Sequence, residues 1–395
     1  MDRGENLMKK CTSIKLGSFA VLIAGTTLFA PGFNVKAEST QNISSPSQAQ
    51  DQKNRNSWKQ IMQETVQLGT PGVLARASNN GKISSYTAGV ADLNSKKPMK
   101  SDYRFRIGSV TKTFTATTVL QLVGENRVQL DDSIEKWLPG LIQGNGYDGN
   151  QITIRQLLNH TSGIAEYLKS KDADIMNSKK TYTAEEIVEI GLALPPDFSP
   201  GKGWSYSNTG YVILGMLIEK ITGNSYAEEI EKRIIEPLDL LNTFLPGNSP
   251  VIPGKNHARG YMKIDETSEL KDMTYYNPSL ANSAGDMISD ADDLNKFFSS
   301  LLGGKLLKER ELKEMLTTVP IEGKDLGDGY GLGIYETKLP NGVSVWGHGG
   351  AIPGFMTFAG GVIGGKHTFA VNVNSLGAAG ILTQFNKMMQ IEFKK

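Results

Sequence analysis

Strand-like runs stand at both ends of this chain, and a long, mainly helical stretch separates them. That order constrains the fold more than any other feature. Near the start, Gly72–Ala77 and Lys82–Gly89 alternate in the manner of strands around Asn79-Asn80-Gly81, and Asn-Gly is a strong hairpin signal. Tyr103–Ile107 reads as extended, and 109–125 as helical. From about 127 to 310 the helical period dominates, as at Ile154–His160, Ala184–Ala193, Tyr211–Ile221 and Ala291–Leu302, cut by Pro/Gly loops such as Leu194–Gly203. Strand-like runs return at Gly331–Thr337, Val343–Trp346, Phe355–Val362 and Thr368–Val373, before a last helix over Ala379–Phe393. There is no internal repeat. Strands and helices do not alternate regularly, which argues against a doubly wound parallel sheet. The pattern predicts an α+β fold (an α/β sandwich): one antiparallel sheet built from both termini and flanked by helices, with an all-helical region inserted. The catalytic domain is expected over 57–395, its sheet region over 57–126 and 311–395 and its mainly helical region over 127–310.

The N-terminal residues carry a different message. Lys9, Lys10 and Lys15 precede an apolar run from Leu16 to Ala30, and Val35-Lys36-Ala37 fits a cleavage site. The succession predicts a secretory signal peptide over 1–37 and a secreted, extracellular protein with no stable membrane insertion after removal. The run is short for a membrane span. Residues 38–56 are polar and predict a flexible spacer, with Ser57 capping a short helix that carries Trp58, Ile61, Met62, Val66 and Leu68. Cleavage takes away five of the 42 basic and two of the 41 acidic residues, leaving 37 and 39, a net charge of −2. Nucleic acid is therefore not an expected partner. Cleavage also removes Cys11, the only cysteine, and with it any disulfide or thiol nucleophile.

Several common motifs are missing. There is no Gly-x-Ser-x-Gly and no His-Glu-x-x-His, and the four histidines are scattered, so neither an ordinary α/β-hydrolase nucleophile nor a metal site is expected. Gly360–Lys366 has phosphate-loop spacing, but His367 follows where Ser or Thr should stand, between two strand-like runs; it reads as a hairpin turn. Three short motifs remain. Ser109-Val-Thr-Lys112 follows an extended run and a glycine and opens a helical stretch, which puts Ser109 and Lys112 on one helix face. Three other Ser-x-x-Lys runs, starting at Ser133, Ser199 and Ser268, lack that setting. Tyr206-Ser-Asn208 is presented by a Pro-Gly loop just before an apolar helix. His348-Gly-Gly350, the only His-x-Gly, ends the run Val343–Trp346, and its glycines would let a substrate backbone approach.

Taken in order, these motifs resemble those of the serine β-lactamase and DD-peptidase (penicillin-recognising) superfamily, whose β-lactamase members carry Ser-x-x-Lys, Ser-Asp-Asn and Lys-Thr-Gly. Tyr206 in the second motif is similar to the class C branch, and His348 in the third to some DD-peptidases. Phe105–Lys112, Ile154–Gly163 and Ser283–Ser289 share the likeness, which spans about 57–393 and is strongest for secreted alkaline D-peptidases and D-Ala-D-Ala carboxypeptidases. The resemblance implies a serine hydrolase acting through a Ser109 acyl-enzyme, with Lys112 and Tyr206 as proton carriers. It further implies that Asn208, His348, Gly349, Gly350 and Ala351 bind substrate, with Ser109 and Ala351 N–H groups as the oxyanion hole. His160 is assigned to structure. No cofactor is implied, and the expected partners are D-amino-acid peptides or cell-wall peptide fragments. Activity is expected to climb from pH 7 to about 9 through ionisation of Tyr206. A β-lactamase, esterase or lactonase, a penicillin-binding receptor without turnover and a wall-binding structural protein are the competing readings.

Overall fold

The first described helix, α1 (Pro46–Gln67), begins eleven residues ahead of the expected Ser57 cap. The structure, a computed structural model, describes residues 46–394 apart from 178, 265–267 and 322–326, with side chains from residue 54 onward. The expected signal peptide lies outside the described residues. The spacer expected over 38–56 is corrected from Pro46 on: six of its eleven residues there, three Gln with one Ala, one Lys and one Arg, favour helix, and its proline stands at the first turn, where the missing N–H costs nothing. The chain divides at residue 53, and the second unit, Asn54–Lys395, holds the fold. Within it Trp58, Ile61 and Met62 form the buried stripe of α1, and Trp58 stacks on Tyr86 with ring centroids 4.1 Å apart.

In chain order the elements that matter are strands β1 (Gly72–Asn79), β2 (Lys82–Gly89) and β3 (Phe105–Arg106), then a 3₁₀ turn over Gly108–Val110 leading into α2 (Thr111–Gly124). The helical region contributes α3 (Ile154–Leu158), α4 (Ala184–Leu192) and α5 (Asn208–Thr222). A two-residue strand, β4 (Ile288–Ser289), precedes α6 (Ala291–Leu302). The chain ends with β5 (Gly329–Tyr330), β6 (Tyr335–Lys338), β7 (Ser344–Ile352), β8 (Phe355–Gly361), β9 (His367–Val373) and α7 (Ile381–Glu392).

Seven strands form one antiparallel sheet in the order β2–β1–β9–β8–β7–β6–β5. The N-terminal hairpin closes against the C-terminal strand, Val73 opposite Val373 and Asn79 opposite His367, so both ends of the chain complete one sheet as expected. Asn80 and Gly81 have φ of 50° and 81°, the mirror-image turn that suits twisted strands. Side chains alternate between two cores. Val73, Ala75, Phe369 and Val371 face α1 and α7, whereas Leu74 and Ala370 face the helical region, where Phe114 of α2 stacks on Phe297 of α6 at 3.7 Å. β9 is buried on both faces, through Phe369, Ala370, Val371 and Val373 and also through the polar Thr368 and Asn372. Gly360–Lys366 is the β8–β9 turn, as read from the sequence.

Two strands differ from expectation in ways that shape the site. The run Gly331–Thr337 is broken, because the chain turns at Gly333 (φ 75°) between β5 and β6. The strand expected over Val343–Trp346 extends to Ile352, so His348-Gly-Gly lies inside β7. The glycines have little strand preference of their own; pairing with Ala359, Phe358 and Thr357 of β8 holds them extended. On its other side β7 is paired with β6 only up to Gly347, opposite Tyr335. Among the described residues no strand pairs with that edge of the sheet from His348 onward.

Candidate active site

Ser109 sits in the 3₁₀ turn at the head of α2, half-buried beside β7. The close approach depends on two glycines. A Cβ on Gly108, whose φ is 52°, would come within 2.8 Å of Ala351 N, and one on Gly350 would overlap Ile107 O and lie 3.0 Å from Ser109 N. The backbone nitrogens of Ser109 and Ala351 are thereby brought together, as an oxyanion hole requires. The strand pair β3–β4 pins the other side of the turn, with Phe105 opposite Ser289 and Ile107 N–H donating to Met287 O at 3.0 Å.

Lys112 is one turn further along α2 and fully buried. Its Nζ lies 3.1 Å from Ser109 Oγ, 2.6 Å from Asn208 Oδ1 and 2.7 Å from Ala284 O. Burial lowers its pKa to about 7, opposed by the negative charge of Glu166. At that pKa a large fraction is neutral amine near physiological pH. A neutral amine has two N–H donors and one lone pair. Asn208 Oδ1 and Ala284 O are acceptors only and take the two donors, so the lone pair is left for the Ser109 hydroxyl. Ala284 lies in the Ser283–Ser289 stretch, whose chemical part the sequence does not disclose.

Tyr206 shares a hydrogen bond with Ser109, and its ring lies 4.9 Å from Lys112 Nζ. Burial pushes its pKa well above 10, so it is a neutral phenol throughout the working range. The pH expectation is corrected accordingly: the group poised near neutrality is Lys112. Asn208, first residue of α5, uses both ends of its amide, Oδ1 for Lys112 and Nδ2 for Glu166 Oε2 at 2.9 Å. Glu166 also accepts the Asn208 N–H at 2.6 Å and the Leu168 N–H at 3.0 Å. Sequence reasoning missed Glu166; a lone acid after His-Thr-Ser-Gly163 gives no motif to read. His160 has the supporting place assigned to it. Its φ is 63°, its carbonyl accepts the Ser205 N–H at 3.1 Å, its Nδ1 accepts the Ser207 N–H at 3.2 Å, and its ring lies 4.3 Å from that of Tyr206. His160 thus ties down the Tyr206 side of the loop, as Glu166 ties down Asn208.

His348 is 2% exposed. Nδ1 meets Gly349 O at 2.5 Å and Nε2 meets Tyr330 Oη at 2.8 Å. A carbonyl can only accept, so Nδ1 carries the proton and Nε2 accepts from Tyr330. Burial and the neighbouring Lys112 charge push its pKa down to about 3, so it stays neutral. Beyond it, Gly349 and Gly350 are half-buried and Ala351 is exposed. The structure thus brings Ser109, Lys112, Tyr206, Asn208, His348, Gly349, Gly350 and Ala351 to one place. Of the rival Ser-x-x-Lys runs, the one starting at Ser133 has its lysine, Lys136, paired with Asp132 at 2.7 Å.

A family model described as Beta-lactamase matches residues 58–383. Among solved structures, a D-stereospecific amidohydrolase from Streptomyces sp. is 41% identical, with a TM-score of 0.80 over 86% of this chain and 98% of that one. A D-amino acid amidase from Ochrobactrum anthropi SV3, complexed with L-phenylalanine, is 31% identical, with a TM-score of 0.77 over 85% and 98%. Penicillin-binding protein 4* of Bacillus subtilis (strain 168) is 29% identical over 299 residues, 72% of this chain and 64% of that protein. Esterase EstB of Burkholderia gladioli is 30% identical over 194 residues, 46% and 48% of the two chains. The matches span less than two thirds of the length of these curated relatives.

Proposed function

The chain belongs to the beta-lactamase family, and on that premise we propose that it is a secreted serine hydrolase that cleaves amide bonds in D-amino-acid-containing peptides and amides, with a Ser109 acyl-enzyme. The arrangement around Lys112 carries this reading: a buried amine near pKa 7, its two N–H donors taken by fixed acceptors, 3.1 Å from a half-exposed serine. D-stereospecificity is supported by likeness to the Streptomyces amidohydrolase and the Ochrobactrum amidase.

The chemistry follows from the geometry. The neutral Lys112 amine takes the Ser109 proton as Oγ attacks the substrate carbonyl carbon. The carbonyl π electrons move to oxygen, and the Ser109 and Ala351 N–H groups stabilise that charge, each worth about 3 kcal/mol. The C–N bond then breaks. The leaving amine takes a proton from the Tyr206 phenol, and the Lys112 ammonium, beside the Tyr206 ring, returns the proton it took from Ser109 to the phenolate. Water adds to the acyl-enzyme by the same steps in reverse order, its proton passing to Lys112, and the acid is released. Asn208 and Glu166 hold Lys112, and each Asn208 end keeps one site for a substrate amide.

Product analysis by mass spectrometry tests the reading on D- and L-phenylalanine amides, D- and L-dipeptides, a nitrophenyl ester and nitrocefin. Hydrolysis of D-amides with Ser109 acylated is expected. Turnover of the ester or nitrocefin with no amide cleaved would favour the esterase or β-lactamase reading, which likeness to Esterase EstB supports.

A further inference from the structure

The third motif has glycine at its centre, and Gly349 therefore offers the site no side chain. The structure shows what occupies that place. A Cβ built on Gly349 lies 3.0 Å from Tyr335 Oη, with no other side chain within 4 Å. Tyr335 is the first residue of β6, where pairing with β7 stops, and it is 7% exposed. Its ring lies 5.3 Å from that of His348 and 6.3 Å from that of Phe358, which fixes its direction. The Gly349 N–H donates to the phenol oxygen. Among the described residues no acceptor takes the Tyr335 O–H. The His348 ring also lies 6.3 Å from that of Tyr206, so both phenols border the same imidazole. Burial keeps Tyr335 itself protonated, so it is a donor at every working pH.

We propose that Tyr335 supplies, from the neighbouring strand, the hydroxyl that Gly349 lacks, and that its O–H holds a carbonyl-type oxygen of the substrate's leaving half, a C-terminal carboxamide or carboxylate. The proposal rests on the amide-hydrolase reading above. A neutral phenol donates to either group, and His348, the nearest titratable side chain on β7, brings no positive charge that would single out the carboxylate. Glycine at 349 and tyrosine at 335 form a matched pair: a side chain at 349 needs the space that the phenol oxygen fills. Gly349 has a φ that ordinary residues adopt, so the obstacle is that oxygen and not the backbone.

The pair is tested by a cycle of Tyr335→Phe, Gly349→Ser and the double variant. The substrates are D-phenylalanyl-D-alaninamide, D-phenylalanyl-D-alanine and D-phenylalanine isobutylamide, whose leaving group has no acceptor. Tyr335→Phe should lower kcat/KM by roughly 2- to 13-fold for the carboxamide, the worth of one neutral hydrogen bond, by at least as much for the free acid, whose bond is to a charged group, and leave the isobutylamide unchanged. Gly349→Ser alone should be impaired on all three. In the double variant the serine hydroxyl has room, and activity on the first two should return toward wild type. Equal losses on all three substrates in Tyr335→Phe, no loss on any, or a double variant no better than Gly349→Ser would overturn the proposal. Wild-type protein that cleaves none of the three would instead sink the hydrolase reading, and the proposal with it.

Discussion

Replacing Glu166 by Gln should move the acid limb of the pH–rate profile to lower pH. Glu166 is joined to Lys112 through the Asn208 amide by hydrogen bonds of 2.9 and 2.6 Å. Carboxylate and amine are then about 6–7 Å apart, and at an effective dielectric of about 20–40 their attraction is about 1–2.5 kcal/mol, or roughly 1–2 pH units. The attraction favours the ammonium, so it raises the Lys112 pKa, which burial has lowered to about 7. Removing the charge should lower it further. Gln can still accept from Asn208 N–H and Nδ2 through its amide oxygen, but its NH₂ end cannot accept the Leu168 N–H that Glu166 Oε1 now takes. That lost bond should reduce stability by about 1 kcal/mol without turning Asn208 away. The assay is kcat/KM on D-phenylalanine amide from pH 4.5 to 9. In wild type the rate should rise tenfold per pH unit and level off above about pH 7; in Glu166→Gln the break should lie about one unit lower. A break that stays in place, or moves up, would show that Lys112 deprotonation does not set the limb.

Four further outcomes follow from the same geometry. Lys112→Met should abolish turnover; the Lys112 pKa is lower folded than unfolded, so wild-type stability should gain a few kcal/mol on the variant between pH 7 and 10, measurable by urea unfolding. Gly350→Ala should cut kcat at least 100-fold with the fold retained by circular dichroism, because its Cβ overlaps Ile107 O and displaces the turn carrying an oxyanion donor. C-terminally amidated and free-acid D-dipeptides should be cleaved within about tenfold of each other, since Gly349 brings no side-chain donor and His348 no charge; a hundredfold preference for the acid would refute this. N-terminal sequencing of secreted protein should begin at Glu38 or a nearby residue, and recovery of intact Met1 or Met8 in membranes would refute cleavage after Ala37.

Much of this architecture is legible in the sequence because it is local. Asn80-Gly81 fixes the first hairpin, alternation marks β1 and β2, and the i, i+3 spacing puts Lys112 over Ser109. The extent of β7 was not legible, because Gly349 and Gly350 have weak strand preference and pairing with β8 makes them extended. The start of α1 was missed for a related reason: a polar stretch looks unstructured when no apolar stripe marks its period. At the site, the motif residues could be found, but their electrostatics could not. The sequence suggested that Tyr206 ionises as the pH climbs from 7 to about 9, whereas burial, a tertiary property, lowers Lys112 and raises Tyr206. Glu166 and Tyr335 were invisible for the same reason, since each acts through a partner far away in sequence, Asn208 and Gly349.

The central claim is that Ser109 becomes covalently acylated with Lys112 as its base. Mass spectrometry of protein quenched during turnover of a slow D-phenylalanine ester, followed by digestion, tests it directly. The expected result is a D-phenylalanyl adduct on the peptide containing Ser109 in wild type, absent in Ser109→Ala and unchanged in Ser133→Ala. An adduct on the peptide containing Ser133, Ser199 or Ser268, or hydrolysis by Ser109→Ala at the wild-type rate, would contradict the account.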